Sequence, residues 1–128
     1  MQSEIKKIII LGAGPEQTPA IKLCKSLKIK SVVCDKNKNA YGKKYSDYFF
    51  PYNITDYKKI LNLTKKLRVN GIITFCSDLA VPIAAKISNK FQLPGNSLKT
   101  SLLTTHKGEM KRCFERNNIS TPKFEIID

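Results

Sequence analysis

The chain has 128 residues, which is enough for one domain with its own core and too few for two. Hydrophobic residues make up 41% of the chain, which argues against disorder, and no apolar run approaches the ~18 residues of a membrane-spanning helix. Residues 1–7 contain no apolar stretch of the kind found in signal peptides. We therefore expect a cytoplasmic protein with no membrane partner.

The charge is strongly positive, with 23 Lys and Arg against 10 Asp and Glu and a net charge of +13. Such a charge can indicate a nucleic-acid partner. However, the lysines are scattered between the apolar positions of every helical segment, and arginine, the main reader of bases, occurs only at Arg68, Arg112 and Arg116. The pattern favours solvated lysine faces, so we expect no specific nucleic-acid partner. A basic nucleic-acid-binding domain is kept as a third alternative.

The four cysteines, at positions 24, 34, 76 and 113, form no CxxC pair, and His106 is the single histidine. A zinc site needs tighter clustering of such ligands, so we expect no metal site and free thiols in a reducing compartment. Cys34 and Cys76 lie in or just after apolar runs and are expected to be small buried hydrophobes.

The first half of the chain predicts three strands and one helix. Pro15 suits the first position of a helix, where its missing N–H costs nothing. The apolar runs are short, rich in β-branched or aromatic residues and closed by turn residues, as in buried parallel strands. The predicted elements are a strand over 5–11 that ends in Gly12-Ala13-Gly14, a helix from Pro15 to Leu27, a strand over 31–34 closed by Asp35, a loop over 36–44, and a strand over 48–50.

The second half predicts four helices around one more strand. Tyr57, Ile60, Leu61, Thr64 and Leu67 share one helical face, which makes this the clearest helix of the chain. The predicted elements are a helix over 57–67 capped by Thr55 and stopped by Asn70-Gly71, a strand over 71–75, a helix over 80–91, a turn at Pro94-Gly95, a short helix over 97–103, and a last helix capped by Thr105 that runs to Asn117.

This alternation of strands and helices predicts an α/β fold with a parallel sheet covered on both faces, a three-layer α/β/α sandwich. The glycine loop after the first strand marks the point where the strand order reverses. We therefore predict a Rossmann-like sheet with the order 3-2-1-4.

The loop Gly12-Ala13-Gly14-Pro15-Glu16-Gln17 is the first candidate ligand site. Glycines allow a ligand to approach the backbone closely, and Asp35 is spaced like the ribose-binding acid of a dinucleotide site. Two features argue against a dinucleotide site. Gln17 replaces the third glycine of the dinucleotide-binding motif, and Pro15 has no backbone N–H to donate to a pyrophosphate. A tight turn without a ligand and a solvated loop acid are the alternatives.

Ser77-Asp78, after the fourth strand, is the second candidate. It falls at the carboxyl end of the sheet, the edge at which open α/β sheets bind ligands, so we expect it to share one crevice with the glycine loop and Asp35. The alternative is that Asp78 only caps the following helix.

A third segment, Thr105-His106-Lys107-Gly108, begins a basic helix that leads to Ile119-Ser120-Thr121-Pro122. Nearly the whole chain resembles the N-terminal preATP-grasp domain of the ATP-grasp superfamily. The resemblance is carried by this segment together with the glycine loop, the 32–35 strand end, residues 71–74 and Leu93-Pro94-Gly95. That family includes biotin carboxylase, the carbamoyl-phosphate synthetase large chain and the purine-pathway carboxylate–amine ligases. His106 stands where the family usually has Asp.

The resemblance implies a domain over 1–118 on the substrate side and, over 119–128, the start of an ATP-grasp domain that this chain lacks, so Asp128 is expected to be a fragment boundary or a cleavage point. It implies that ATP phosphorylates a carboxylate and that an amine or similar nucleophile displaces phosphate from the acyl phosphate. The implied substrate-binding residues are Gly12, Gly14, Pro15, Glu16, Gln17, Asp35, Ser77 and Asp78, and the implied nucleotide-binding residue is Lys107.

ATP and Mg²⁺ are thus implied as cofactors of a full-length ligase. In this fragment we expect no catalytic residue, no tightly bound cofactor and no activity. The implied partners are a small-molecule carboxylate or amine and the rest of the ATP-grasp chain, with a homodimer left open. The alternative from another class is a stand-alone Rossmann-type module that binds NAD or another nucleotide.

Overall fold

The computed structural model describes residues 5–127; residues 1–4 and Asp128 lie outside that range. Within it, a four-stranded sheet is accompanied by helices and two short 3₁₀ turns. The strands are β1 (Lys7–Leu11), β2 (Lys30–Cys34), β3 (Tyr48–Phe50) and β4 (Gly71–Thr74). The helices are α1 (Thr18–Ser26), α2 (Tyr57–Leu67), α3 (Val81–Phe91), α4 (Leu98–Thr105) and α5 (Lys107–Arg116), and the 3₁₀ turns are Tyr41–Tyr45 and Asp78–Ala80.

The strands form one sheet in the order β3-β2-β1-β4, and every pair is parallel. The predicted order is confirmed. In β1 successive side chains point to opposite faces: Ile9 and Leu11 pack with α2 and α3, whereas Ile10 packs with α1. Because both faces are covered, the central strands β1 and β2 each end in three consecutive buried apolar residues rather than an alternating pattern, as expected in a three-layer architecture.

The helix starts differ from the sequence expectation at three places. α1 begins at Thr18 and not at Pro15, because residues 14–17 form a turn in which Thr18 N–H donates to the carbonyls of Gly14 and Pro15. Asp56, not Thr55, caps α2, since its carboxylate accepts from Lys59 N–H. His106, not Thr105, caps α5.

The end of α2 also differs. The residue in left-handed conformation after the helix is Arg68, with φ of 49°, rather than Asn70-Gly71. Asn70 instead starts the pairing of β4 with β1: its side-chain oxygen accepts from Lys7 N–H, and its own N–H donates to Lys7 O. The predicted stop signal therefore belongs to the sheet.

The cysteines divide by position. Cys34 is fully buried in the sheet as predicted, and burial raises the pKa of its thiol to about 12. The expectation that Cys76 is buried was wrong: it lies exposed beyond the end of β4. None of the four cysteines forms a disulfide, and no metal-binding group of three or more His, Cys, Asp or Glu occurs within 5–127.

Up to Ile127, the segment after α5 forms neither a helix nor a strand. Residues 117–127 are irregular and return along α5, where Lys111 Nζ donates to Thr121 Oγ1 at 2.6 Å and Phe124 is half-buried. The side chain of Ile127 is 89% exposed. Among the described residues, no helix has the length and apolarity needed to cross a membrane.

Candidate functional site

The glycine loop, residues 12–17, connects β1 to α1 at the carboxyl edge of the sheet. Gly12 is buried and has φ of +102°, a conformation that L side chains rarely adopt, and its N–H donates to Cys34 O at 2.8 Å. The carbonyl of Ala13 accepts from Gly42 N–H at 2.7 Å, where a Cβ on Gly42 would collide with Ile21 and with that same carbonyl. The loop is therefore held from both sides.

Asp35 follows β2 and faces this loop. One carboxylate oxygen accepts from Ala13 N–H at 2.9 Å, and the other accepts from Asn37 N–H at 2.8 Å. Both oxygens are thus bound to the protein's own backbone.

Gln17 occupies the position of the third glycine in a dinucleotide motif. Its side chain is 6% exposed. The Oε1 atom accepts from Gly14 N–H at 2.9 Å, and Nε2 donates to the carbonyl of Phe75 beyond β4. The glycine loop, Asp35 and the residue after β4 are consequently joined by hydrogen bonds.

Pro15 and Glu16 are the exposed residues of the loop. Since Asp35 and Gln17 already bind the amides of Ala13 and Gly14, the loop presents to solvent the Glu16 carboxylate and a proline without an N–H. The amides of positions 12 to 14 are therefore not free to cradle a pyrophosphate.

The segment after β4 is irregular. Cys76 is in the left-handed region with φ of 52°, and Ser77 is extended and half-buried. Asp78 opens the 3₁₀ turn Asp78–Ala80 and does not cap α3, whose N-cap residue is Ala80. The capping alternative for Asp78 is therefore wrong, and its carboxylate is 67% exposed.

Lys107 begins α5 and lies near this segment. Its Nζ atom is 3.9 Å from Asp78 Oδ2, and its side chain is 74% exposed. His106 sets the start of this helix, because its Nδ1 accepts from Glu109 N–H at 3.2 Å. Asp would cap a helix in the same way, which explains how His can replace it here.

Two cavities lie along the carboxyl edge and β4. One, of about 320 Å³, is lined by Asp35, Lys36, Asn53, Ile54, Thr55 and Leu79. The other, of about 250 Å³, lies between β4, α3 and the 94–96 turn. A larger cavity of about 770 Å³ lies at the amino edge around Ile5, Lys28 and Asp47, away from the ligand-binding edge of a parallel sheet.

Sequence reasoning missed two contributors to this edge. The carbonyl of Phe75 accepts from Gln17, but a backbone acceptor leaves no residue signal. Leu79 is 73% exposed beside Asp35, and a single apolar residue in a helical pattern gives no hint of exposure. The positive φ of Cys76 was equally invisible, since Cys has no preference for that region.

Comparisons with known proteins bear on this architecture. No family model matches the chain. A curated relative, the formate-dependent phosphoribosylglycinamide formyltransferase of Prochlorococcus marinus, is 22% identical over 123 residues, which are 95% of this chain and 32% of that protein. The phosphoribosylglycinamide synthetase structure from Anaerococcus prevotii matches with a TM-score of 0.81 and 26% identity over 92% of this chain and 30% of that one.

The fold is that of a preATP-grasp domain. A third match is the biotin carboxylase domain dimer of 2-oxoglutarate carboxylase from Hydrogenobacter thermophilus, solved with MgADP, ADP and bicarbonate. Its TM-score is 0.73 at 19% identity, over 94% of this chain and 29% of that one. These proteins are ATP-grasp enzymes, and this preATP-grasp domain spans about a third of the length of each.

Proposed function

We propose that this chain is the substrate-side N-terminal domain of an ATP-dependent ligase that joins a carboxylate to an amine or a similar nucleophile. ATP phosphorylates the carboxylate, and the nucleophile then displaces phosphate from the acyl phosphate. The observation that carries this proposal is the preATP-grasp fold over nearly the whole chain, matched to about a third of three ATP-grasp enzymes. Bound MgADP in the biotin carboxylase structure supports ATP and Mg²⁺ as the cofactors.

In this proposal the substrate lies at the carboxyl edge between the glycine loop and the segment after β4. Gly12 is needed for the backbone conformation of the loop, and Gly14 keeps the loop free of a side chain that would block a ligand. Glu16 and Asp78 present exposed carboxylates that would bind an amine or hydroxyl groups of the substrate, and the half-buried Ser77 precedes Asp78 in the segment after β4. Pro15 shapes the exposed rim of the loop.

Lys107 is the proposed contact to the nucleotide phosphates. In the described residues its ammonium group is near Asp78 at 3.9 Å, a distance at which two exposed side chains interact weakly. A phosphate arriving with Mg²⁺ would compete for this lysine. Phosphoryl transfer depends mainly on positioning and charge neutralisation, so the other phosphate and Mg²⁺ ligands are expected in a following ATP-grasp domain.

The test is ATP-dependent phosphate release by a longer protein that joins this domain to an ATP-grasp domain. The assay supplies one mixture of carboxylates and one mixture of nucleophiles. We expect phosphate release only when both mixtures are present. The matched variants are Lys107→Ala, expected to lose turnover, and Lys99→Ala on the preceding helix, expected to retain it. Tight NAD binding with no ATP turnover would contradict the proposal in favour of the Rossmann module.

The dimer of the biotin carboxylase domain makes a homodimer of this longer protein part of the proposal. Light scattering of the longer protein tests it: a mass of twice the chain is expected, and a monomer at micromolar concentration would contradict the dimer without touching the ligase chemistry.

A further inference from the structure

Gln17 is a polar side chain with 6% exposure at the start of α1. Its two ends have different partners: Oε1 accepts from Gly14 N–H within the glycine loop, and Nε2 donates to the carbonyl of Phe75, 58 positions away in the sequence. A buried amide with a hydrogen bond at each end is ordered, because losing either bond would leave a poorly solvated polar group. Gln17 therefore ties the loop after β1 to the end of β4.

This tie changes what the loop can bind. The N–H of Gly12 donates to the carbonyl of Cys34. The N–H of Ala13 donates to the carboxylate of Asp35, and that of Gly14 donates to the side-chain oxygen of Gln17. Pro15 has no N–H. A phosphate cradle needs several free amides that converge on one point. Here the amides of positions 12 to 14 are already bound to the chain's own acceptors.

We propose that Gln17 is a positioning residue that determines specificity: its carboxamide fixes the glycine loop against β4 and withholds the Gly14 amide from anionic ligands. Asp35 does the same for the Ala13 amide. With the amides of positions 12 to 14 occupied, this part of the loop accepts neutral or cationic parts of a ligand beside Glu16 rather than a phosphate. This inference rests on the proposed function only in assuming that the substrate binds on this side of the loop.

The first test is amide hydrogen exchange by NMR on the ¹⁵N-labelled chain. The side-chain amide of Gln17 should exchange at least about tenfold more slowly than that of the exposed Gln92, which serves as the matched control in the same molecule. Equal exchange at the two side chains would overturn the proposal. This measurement needs no variant and no substrate.

The second test separates the two bonds. Gln17→Leu removes both, so the Gly14 amide should exchange at least about tenfold faster, while the amides of Ala13 and Ile10 keep their rates. Gln17→Glu retains an acceptor and should restore the protection of Gly14. Unchanged exchange at Gly14 in Gln17→Leu, or a parallel loss at Ile10 in the core, would reduce Gln17 to a packing residue and overturn the proposal.

The specificity part is tested with inorganic pyrophosphate. At millimolar concentration the amide resonances of Ala13 and Gly14 in the unmodified chain should not shift, because their donors are occupied. Saturable shifts at these two amides would overturn the inference. None of these readouts depends on ligase activity, so a failure of the proposed function would leave them interpretable.

Discussion

Backbone geometry at Gly12 decides which residue the loop tolerates at that position. With φ of +102°, and with a Cβ placed 3.1 Å from the Gln17 side chain, alanine would be strained and crowded. We expect Gly12→Ala to lower the free energy of unfolding by about 1–3 kcal/mol, measured by urea denaturation. Gly71→Ala is the control, since a Cβ there meets Ile8 at an ordinary 3.4 Å, and should cost under about 1 kcal/mol. Equal losses would mean that loop geometry is not the source.

Asp47 joins the amino ends of β2 and β3 through three contacts: its carboxylate accepts from Lys30 Nζ at 2.6 Å and from Ser31 N and Oγ. Partial burial raises the pKa of Asp47, but the hydrogen bonds from Lys30 and Ser31 outweigh it and hold the pKa below its ordinary value of 3.8. A carboxyl whose folded pKa is lowered stabilises the fold above its unfolded pKa and loses that contribution as the pH falls through the folded value.

We therefore expect Asp47→Asn to destabilise the chain at neutral pH by about 1 kcal/mol or less, because the carboxylate is partly exposed and screened. The difference from the unmodified chain should disappear as the pH falls below ~4. Denaturation between acid and neutral pH measures both curves. A difference that stays constant down to the lowest pH would contradict the assignment to this carboxylate.

At the scale of elements, the start of α2 distinguishes two adjacent capping candidates. Asp56 accepts from Lys59 N–H at 3.2 Å, whereas Thr55 Oγ1 donates to Asn53 Oδ1 outside the helix. Asp56→Ala should lower the melting temperature by a few degrees, and Thr55→Ala by clearly less. Circular dichroism melts decide between them, and a larger loss for Thr55→Ala would restore the sequence-based assignment.

The sheet could be predicted from sequence because its signals are redundant. Each strand contains a short apolar run, and Gly12-Ala13-Gly14 after β1 indicates where the strand order reverses. The element boundaries were harder, because Thr55 and Asp56, or Thr105 and His106, are adjacent residues that can each cap a helix. Only the hydrogen-bond geometry separates them.

The sequence indicates at which edge of the sheet the candidate site residues lie, but not which atoms their side chains hydrogen-bond. The glycine loop, Asp35 and Ser77-Asp78 each come after the carboxyl end of a strand. Because these ends lie at one edge of a parallel sheet, the common location of the three segments could be predicted. That Asp35 and Gln17 point inward to backbone amides depends on side-chain rotamers and on the carbonyl of Phe75, and neither has a sequence pattern. The exposure of Cys76 was missed for the same reason, since strand periodicity does not extend past Thr74.

At the scale of the whole molecule, the net charge of +13 predicts how the chain binds nucleic acids. The lysines are spread over the surface, so at ~0.15 M salt DNA binding should be weak, indifferent to sequence and strongly reduced by added salt. Fluorescence anisotropy with two unrelated duplexes over a salt series checks this. A tight complex with one duplex and not the other would overturn the ligase interpretation.

We propose that this domain supplies the substrate side of an ATP-dependent ligase and holds little of its nucleotide site. Isothermal titration of the chain with Mg-ATP is the sharpest test of this proposal. Lys107 is 74% exposed, and one exposed lysine–phosphate contact contributes roughly 0–1 kcal/mol, far from the ~8 kcal/mol of a micromolar ligand. We expect no saturable heat in the micromolar range, whereas a low-micromolar dissociation constant would show a complete ATP site within these residues and contradict the account.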